Sequence, residues 1–313
     1  MDKPLVSVII PNYNHEPFLA KRISSVLNQD YDNLEVIILD DASEDESRQV
    51  IQNYVDKDRR ITFVANETNS ANTFRQWQKG IDLCSGGLIW IAESDDWADP
   101  KLVSEMIPFL ADPEVGVTFC ASTLVDADNQ IIGSSLDLVD GDIIPGSVKV
   151  SGKEALMKYH AYYNLIPNAS AAIFRKELAS FTFLDKKPVP RLVGDKFFWF
   201  NILSKSSVVY LEKPLNNFRT HTNNVRSGTS DLDALEENLR FWRLLKRDIF
   251  NGNLPRDITR RIVGWWGRLI LKGEVGVLDL HCLRIALQCI KIERFLPVRL
   301  MVFLIKTKLK NAG

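Results

Sequence analysis

Two aspartate pairs and one later aspartate are the residues of this chain best placed to do chemistry. Asp40-Asp41 closes the apolar run Leu34-Glu35-Val36-Ile37-Ile38-Leu39, and Asp95-Asp96 follows Leu88-Ile89-Trp90-Ile91-Ala92 in the turn Glu93-Ser94-Asp95-Asp96. Asp195 stands in Val193-Gly194-Asp195, just ahead of Phe197-Phe198-Trp199-Phe200. In an open parallel sheet, ligands bind outside the carboxyl ends of the strands, so acids that follow two strands project into one crevice. Carboxylates gathered there invite a hard divalent cation and, through it, a phosphorylated ligand. Three acids within four residues also repel one another unless a cation or water screens them. Plainer roles exist for each: an Asp after a strand fills turns, and an acid at a helix start is favourable without any function. His221, in Phe218-Arg219-Thr220-His221-Thr222-Asn223-Asn224, also reads as an ordinary surface histidine.

The elements that would position these acids alternate. Leu5–Ile10, Leu34–Leu39, Ile61–Ala65, Leu88–Ala92 and Val115–Cys120 read as strands, the first ended by the turn Pro11-Asn12-Tyr13-Asn14. Between them Phe18, Leu19, Ile23, Val26 and Leu27 recur at helical spacing. Ser43 with Glu46 makes a capping box for a helix to about Val55. Phe74, Trp77, Ile81 and Cys84 mark a helix that stops at Ser85-Gly86-Gly87, and Pro100 opens another that runs to Leu110. This order argues an α/β fold with a doubly wound, mostly parallel sheet and helices on both faces. Ala121–Gly152 reads as a loop-rich excursion, followed by a helix at Lys153–His160, strands at Ala171–Phe174 and Ser207–Leu211, and a helix at Asp195–Leu203. Beyond the linker-like Ser227-Gly228-Thr229-Ser230 the chain reads as helices only. The expected organisation is a catalytic region over 1–226, with a nucleotide-binding half (1–120) and an acceptor-binding half (121–226), then a helical region over 227–313.

Composition excludes several classes. The formal net charge of −1 leaves no basic field for nucleic acid. Cys84, Cys120, Cys282 and Cys289 are scattered without a CxxC pair, which fits reduced thiols in a cytoplasmic protein. Met1-Asp2-Lys3-Pro4 leads straight into a strand, leaving no room for a signal peptide, and no apolar run reaches the ~18–20 residues of a spanning helix. The turn after the first strand has no glycine, against a dinucleotide dehydrogenase, and no GxxxxGK[ST] exists for a P-loop enzyme. Near the C-terminus, Ile292–Lys306 mixes bulky apolar residues with Arg and Lys, a composition suited either to lying in a membrane interface or to packing on neighbours.

In their order and spacing the motifs resemble the family 2 glycosyltransferases, inverting enzymes with the A-type nucleotide-diphospho-sugar transferase fold. Val6–Asn14 is similar to that family's opening strand, Ser24–Gln29 to its first helix, and Ile38–Ser43 to its nucleotide-binding acid motif. Glu93-Ser94-Asp95-Asp96 stands where the family keeps its metal-binding DXD-type sequence. Val193-Gly194-Asp195-Lys196-Phe197-Phe198-Trp199 is similar to the acceptor-side motif, and Phe218–Asn224 to an R-x-H-x-x-N segment of bacterial members. The resemblance covers roughly residues 4–226. Asn69–Arg75 meets the family pattern only loosely, which leaves the role of Arg75 open.

The resemblance implies roles residue by residue. Pro11, Tyr13, Asp41, Asp95 and Arg75 would bind the nucleotide, and Asp96 with His221 would hold Mn²⁺ or Mg²⁺. Arg219, Gly194 and Trp199 would serve the diphosphate or acceptor side, and Asp195 would be the general base. The donor would be a nucleotide-diphospho-sugar, a UDP-sugar first, and the acceptor a glycan or lipid-linked glycan of cell-surface polysaccharide or glycolipid assembly. The C-terminal helices would touch the inner face of the cytoplasmic membrane peripherally. The competing reading is a non-catalytic subunit that binds a sugar nucleotide or scaffolds a membrane-associated assembly. Oxygen-only ligation suits Mg²⁺ or Mn²⁺ rather than zinc. An ordinary Asp titrates near ~3.9, so Asp195 would be ionised and its positioning would have to supply the rest of its basic power.

Overall fold

The computed structural model describes residues 3–139, 142–185, 189–220, 230–273 and 280–311. They fall into two compact units: Met1–Val189 with Phe198–Thr222, and Pro190–Phe197 with Asn223–Gly313. The short segment that carries Asp195 thus groups with the C-terminal helices.

The first unit alternates β1 (Val6–Asn12), α1 (Glu16–Leu27), β2 (Leu34–Asp40), α2 (Ser47–Val55), β3 (Ile61–Ala65), α3 (Thr73–Leu83) and β4 (Leu88–Ile91). It continues with β5 (Trp97–Ala98), α4 (Leu102–Met106), β6 (Val115–Val125), β7 (Ile131–Ser134), β8 (Lys149–Val150), α5 (Gly152–Ala155) and β9 (Ala172–Arg175). Helix α6 (Gly194–Leu203), of which Phe198 onward belongs to this unit, and β10 (Ser207–Arg219) complete it. Strand order is β3-β2-β1-β4-β9-β6-β10-β5, with β7 on β6 and β8 on β10. Pairing is parallel from β3 through β4 and between β6 and β10. Strand β9 is inserted antiparallel between β4 and β6, so the sheet is mixed.

Alternation along the strands explains two covered faces. Val8, Ile10, Trp90 and Ile173 share one buried cluster with Leu19, Ile23 and Val26 of α1 and Leu102, Val103 and Met106 of α4. Ile9 points the other way, where a Cβ on Gly80 of α3 would meet its Cγ2 at 2.5 Å, so only glycine permits this helix–strand approach. Phe174 on that face packs edge-on against Phe198 and Trp199 of α6, and Trp77 of α3 meets Phe198 in the same way.

The expected loop-rich excursion at Ala121–Gly152 holds more regular structure than its composition suggests. Strand β6 runs on to Val125 and β7 returns along it as a hairpin. Ile131 and Ile132 lie exposed at 75% and 54%, so no buried apolar alternation announced this edge strand. Strand β10 likewise continues to Arg219, bulged around Pro214, and pairs Asn216–Asn217 with β5.

The second unit contains α7 (Asp231–Asp248), α8 (Arg256–Leu271), α9 (Leu280–Ile292) and α10 (Leu296–Asn311). Ser230 caps α7 by accepting from the Asp233 N–H. Gly267 lets α8 and α10 meet closely, since a Cβ there would lie 2.4 Å from the Phe303 ring. Among the described residues, no helix is long and apolar enough to cross a membrane.

Candidate active site

The carboxyl ends of β1, β2 and β4 place Asn12, Asp40, Asp41 and Glu93–Asp96 along one sheet edge. Asp40 is fully buried and held by local donors. It accepts from Asn12 Nδ2 at 3.0 Å, Ser43 N at 3.1 Å and Arg48 Nε at 2.8 Å. It therefore shapes the turn after β2, the plainer of the two roles open to it.

Asp41 is also buried, and its carboxylate gathers a polar network from α3 and the loop before it. Oδ1 accepts from Asn66 Nδ2 at 2.6 Å, Gln76 Nε2 at 2.9 Å and Ser70 N at 2.9 Å, and Oδ2 accepts from Ser70 Oγ at 2.7 Å. The amides that serve the two aspartates are left with buried carbonyl oxygens, Asn12 Oδ1 and Gln76 Oε1, that have no hydrogen-bond partner among the described residues. Pro11 is buried in β1, Tyr13 is 44% exposed just past it, and Arg75 lies exposed on the first turn of α3.

The second acid cluster divides into roles that its sequence does not distinguish. Asp96 is 1% exposed, and both of its oxygens are taken by protein donors. Asn168 Nδ2 donates at 2.7 Å, Arg219 N at 2.9 Å, and Arg22 Nη2 stands 3.8 Å away. Arg22 is itself completely buried, with Nε donating to the Glu93 carbonyl at 2.8 Å. Glu93 accepts from Trp77 Nε1 at 2.8 Å. Burial, and then the charge of Asp95, push the Glu93 carboxyl up to about 8, and the same two causes raise Asp96. Asp95 is half-buried, and its carbonyl is fixed by Arg219 Nε at 2.8 Å. Ser94 Oγ meets His15 Nδ1 at 2.8 Å.

Arg219 differs from its expected part at the diphosphate. Its remaining donors go to the Asp126 and Ala127 carbonyls at 2.8 and 3.0 Å and to Asn129 Oδ1 at 2.7 Å. Its guanidinium stacks 4.4 Å from the Phe18 ring centroid and 5.1 Å from that of Trp97. It is a buried clasp between the Asp95-Asp96 turn and the β6–β7 hairpin. Trp199, expected on the acceptor side, is fully buried in the aromatic core against Phe174 and Phe198. Gly194 and Asp195 open α6, in the second unit. His221 lies outside the described residues.

Among the described residues, the candidate donors for a cation at this turn are carboxylate oxygens. Among the described residues, no group of three or more His, Cys, Asp and Glu side chains is gathered to hold a metal. A half-buried Asp95 beside Glu93 and a protein-bound Asp96 fits a cation that takes one or two carboxylates and completes its shell with phosphate oxygens.

A family model described as glycosyl transferase family 2 matches residues 7–179, more than half of the chain. The chain belongs to glycosyl transferase family 2. That match takes in Asp41, Glu93–Asp96 and Asn168, and stops before Asp195. An uncharacterized glycosyltransferase of Haemophilus influenzae is 33% identical over 132 residues, which are 42% of this chain and 52% of that protein, so the match spans about half of the relative's length. The putative teichuronic acid biosynthesis glycosyltransferase TuaG of Bacillus subtilis is 28% identical over 227 residues, 72% of this chain and 82% of TuaG. Among solved structures, S. aureus TarS 1–349 in complex with UDP-GlcNAc superposes with a TM-score of 0.58 at 18% identity, covering 85% of this chain and 72% of that one. At that identity the likeness speaks for the fold, and it agrees with the A-type architecture that the motifs imply.

Proposed function

We propose that this family 2 member transfers a glycosyl group from a uridine-diphospho-sugar to an acceptor hydroxyl, with inversion at the anomeric carbon, in the assembly of a cell-surface polysaccharide or glycolipid. The observation that carries the proposal is the acid-lined edge of β1, β2 and β4, where the buried Asp41 orders Asn66, Ser70 and Gln76 and the half-buried Asp95 follows β4. TuaG is a putative teichuronic acid biosynthesis glycosyltransferase, and TarS was solved with UDP-GlcNAc; both support the substrate class.

Asp95, rather than the Asp96 expected from the motif, is the residue proposed to hold Mn²⁺ or Mg²⁺. Asp96 is 1% exposed, and its contacts with Asn168, Arg219 and Arg22 fix the turn that presents the half-buried Asp95. A bound divalent cation supplies Lewis-acid stabilisation of the leaving diphosphate. Asp195 is proposed to take the proton of the attacking hydroxyl, the role that its motif implies, and attack opposite the diphosphate gives inversion. A screen of UDP-, TDP- and GDP-sugars with Mn²⁺ tests this reading. Release of UDP from one UDP-sugar, with an inverted product, is expected; no turnover of any donor, or retained configuration, refutes it.

The C-terminal helices are proposed to rest on an anionic membrane surface. Leu283 and Leu287 of α9 are 50% and 61% exposed, and Val298, Met301, Val302 and Ile305 of α10 lie exposed at helical spacing. Exposed Arg284, Lys291, Arg294, Arg299 and Lys306 accompany these stripes. Apolar stripes with basic flanks suit a lipid interface, whereas a second copy would set like charge against like.

A further inference from the structure

We infer that Glu237, on α7, is the residue that positions the segment bearing Asp195; the inference rests on the proposed role of Asp195 as general base. The Glu237 side chain is buried, and Oε1 accepts from the Arg191 N–H at 2.9 Å. Oε2 accepts from Leu192 N at 2.9 Å and Val193 N at 3.0 Å. Three consecutive backbone amides therefore converge on one carboxylate, immediately before α6 begins at Gly194.

A helix start leaves N–H groups without intrahelical partners. A local Ser, Thr, Asp or Asn side chain commonly satisfies one of them. The Val193 N–H belongs to that start and those of Arg191 and Leu192 precede it, and with no Ser, Thr, Asp or Asn in Pro190-Arg191-Leu192-Val193 all three find their acceptor on α7. Hydrogen bonds to an ionised acceptor are about twice as strong as neutral ones, and three of them leave the strand of backbone little freedom. The same face of α7 grips the segment again beyond Asp195. Lys196 Nζ donates to Asn238 Oδ1 at 3.0 Å and lies 5.5 Å from the Phe241 ring centroid. Phe197 packs edge-on against Phe241, with ring centroids 5.4 Å apart. Asp195 is thus bracketed by residues 193 and 196, both tied to α7, and its own Oδ1 accepts the Lys196 N–H at 2.8 Å. Catalytic groups need placement to within about 0.5 Å, and rigid supporting hydrogen bonds supply it. The bracket lies beyond the family match at 7–179, so it belongs to the part of the chain that the family model does not describe.

The test uses the full chain with Glu237→Gln, which keeps size but puts an amide N–H₂ against backbone donors. UDP with Mn²⁺ is the binding probe, and release of UDP from the screened UDP-sugar is the turnover measure. Glu237→Gln is expected to lower kcat about 10- to 100-fold through misplacement of the base, with donor KM and UDP affinity unchanged. Amide exchange at residues 191–196 should accelerate. Added to Asp195→Asn, the change should slow turnover no further, because both act through one group. Normal kcat in Glu237→Gln beside an inactive Asp195→Asn overturns the inference and leaves the functional reading standing. Normal kcat in both variants removes the reading itself. UDP affinity falling together with kcat marks a merely structural glutamate and also overturns the inference. If the amide does not fold, Glu237→Asp, which keeps the charge but not the reach, is read by the same measures.

Discussion

Arg22 Nη2 and Asp96 Oδ2 face each other at 3.8 Å with both side chains buried to 0% and 1% exposure. This pair lies behind the acid turn rather than in contact with solvent. Burial lowers the Arg22 guanidinium to about 10, while Asp96, Asp95 and Glu93 work against that fall. Neither Nη atom has a hydrogen-bond partner among the described residues, so the arginine depends on the surrounding acids for its charge balance. Removing one member of a buried pair leaves the other charge uncompensated, at a cost of about 3–5 kcal/mol. Arg22→Met is therefore expected to lower stability by that order in urea unfolding, even though methionine fills much of the space. A change within experimental error would show that the acids are neutral in the folded protein.

Asp95 and Asp96 should separate cleanly by measurement. Asp95→Asn is expected to keep the wild-type melting temperature and to lose the Mn²⁺ dependence of UDP binding. Asp96→Asn removes the charge that faces Arg22 and weakens the acceptors of Asn168 and Arg219, so its first effect should be a lower melting temperature. Calorimetry of UDP with and without Mn²⁺, beside thermal unfolding, makes the comparison. The opposite pattern, a stable Asp96→Asn without metal dependence, would return the cation to Asp96.

How much of this was legible in the sequence follows from the range over which each feature is decided. The acids at strand ends were legible because a strand and the turn after it are local. Which of two adjacent aspartates is buried was not, since Asn168, Arg22 and Arg219 reach Asp96 from 72, 74 and 123 residues away. Arg22 follows Lys21 in a helix and reads there as a solvated charge. Only the placement of α1 beside the Glu93–Asp96 turn buries it. Glu237 carries no local sign of its role for the same reason, standing in Leu235-Glu236-Glu237-Asn238 of an amphipathic helix. Strands β5 and β7 are too short, and Ile131 and Ile132 too exposed, to give a periodic signal. The motif of Asp195 was legible, but nothing near it in sequence showed that its support comes from α7.

Acid stability should report on Glu35. Burial acts to raise its carboxyl, but hydrogen bonds from the Ser7 hydroxyl and from the Gly86 and Ser85 N–H groups outweigh it and leave the group below its ordinary value. A carboxyl depressed in the folded state stabilises the protein above its unfolded pKa, about 4.3, and loses that contribution as pH falls through the folded value. Glu35→Gln should therefore melt lower than wild type at pH 7, and the gap should narrow below about pH 4. The turn it holds cannot adapt easily, because a Cβ on Gly86 would lie 2.6 Å from the Leu5 carbonyl oxygen. A gap that stays constant from pH 7 to pH 3 would show that the charge of Glu35 contributes nothing.

The exposed apolar stripes of α9 and α10 make the last prediction. Leu287 and Met301 are 61% and 62% exposed, and burying such a side chain in an interface is favourable by about 1.5–3 kcal/mol. Basic residues near an anionic surface add about 1 kcal/mol each. The protein should therefore co-sediment with vesicles that contain phosphatidylglycerol, bind neutral phosphatidylcholine vesicles weakly, and be released in part by high salt. The double variant Leu287→Glu/Met301→Glu should abolish sedimentation while UDP binding is unchanged, since it alters only solvent-facing positions of helices in the second unit. Light scattering distinguishes the other occupant of these stripes. If the wild type is a salt-resistant dimer that the double variant turns into a monomer, and neither binds vesicles, then the stripes join two copies of the chain and the membrane assignment is wrong.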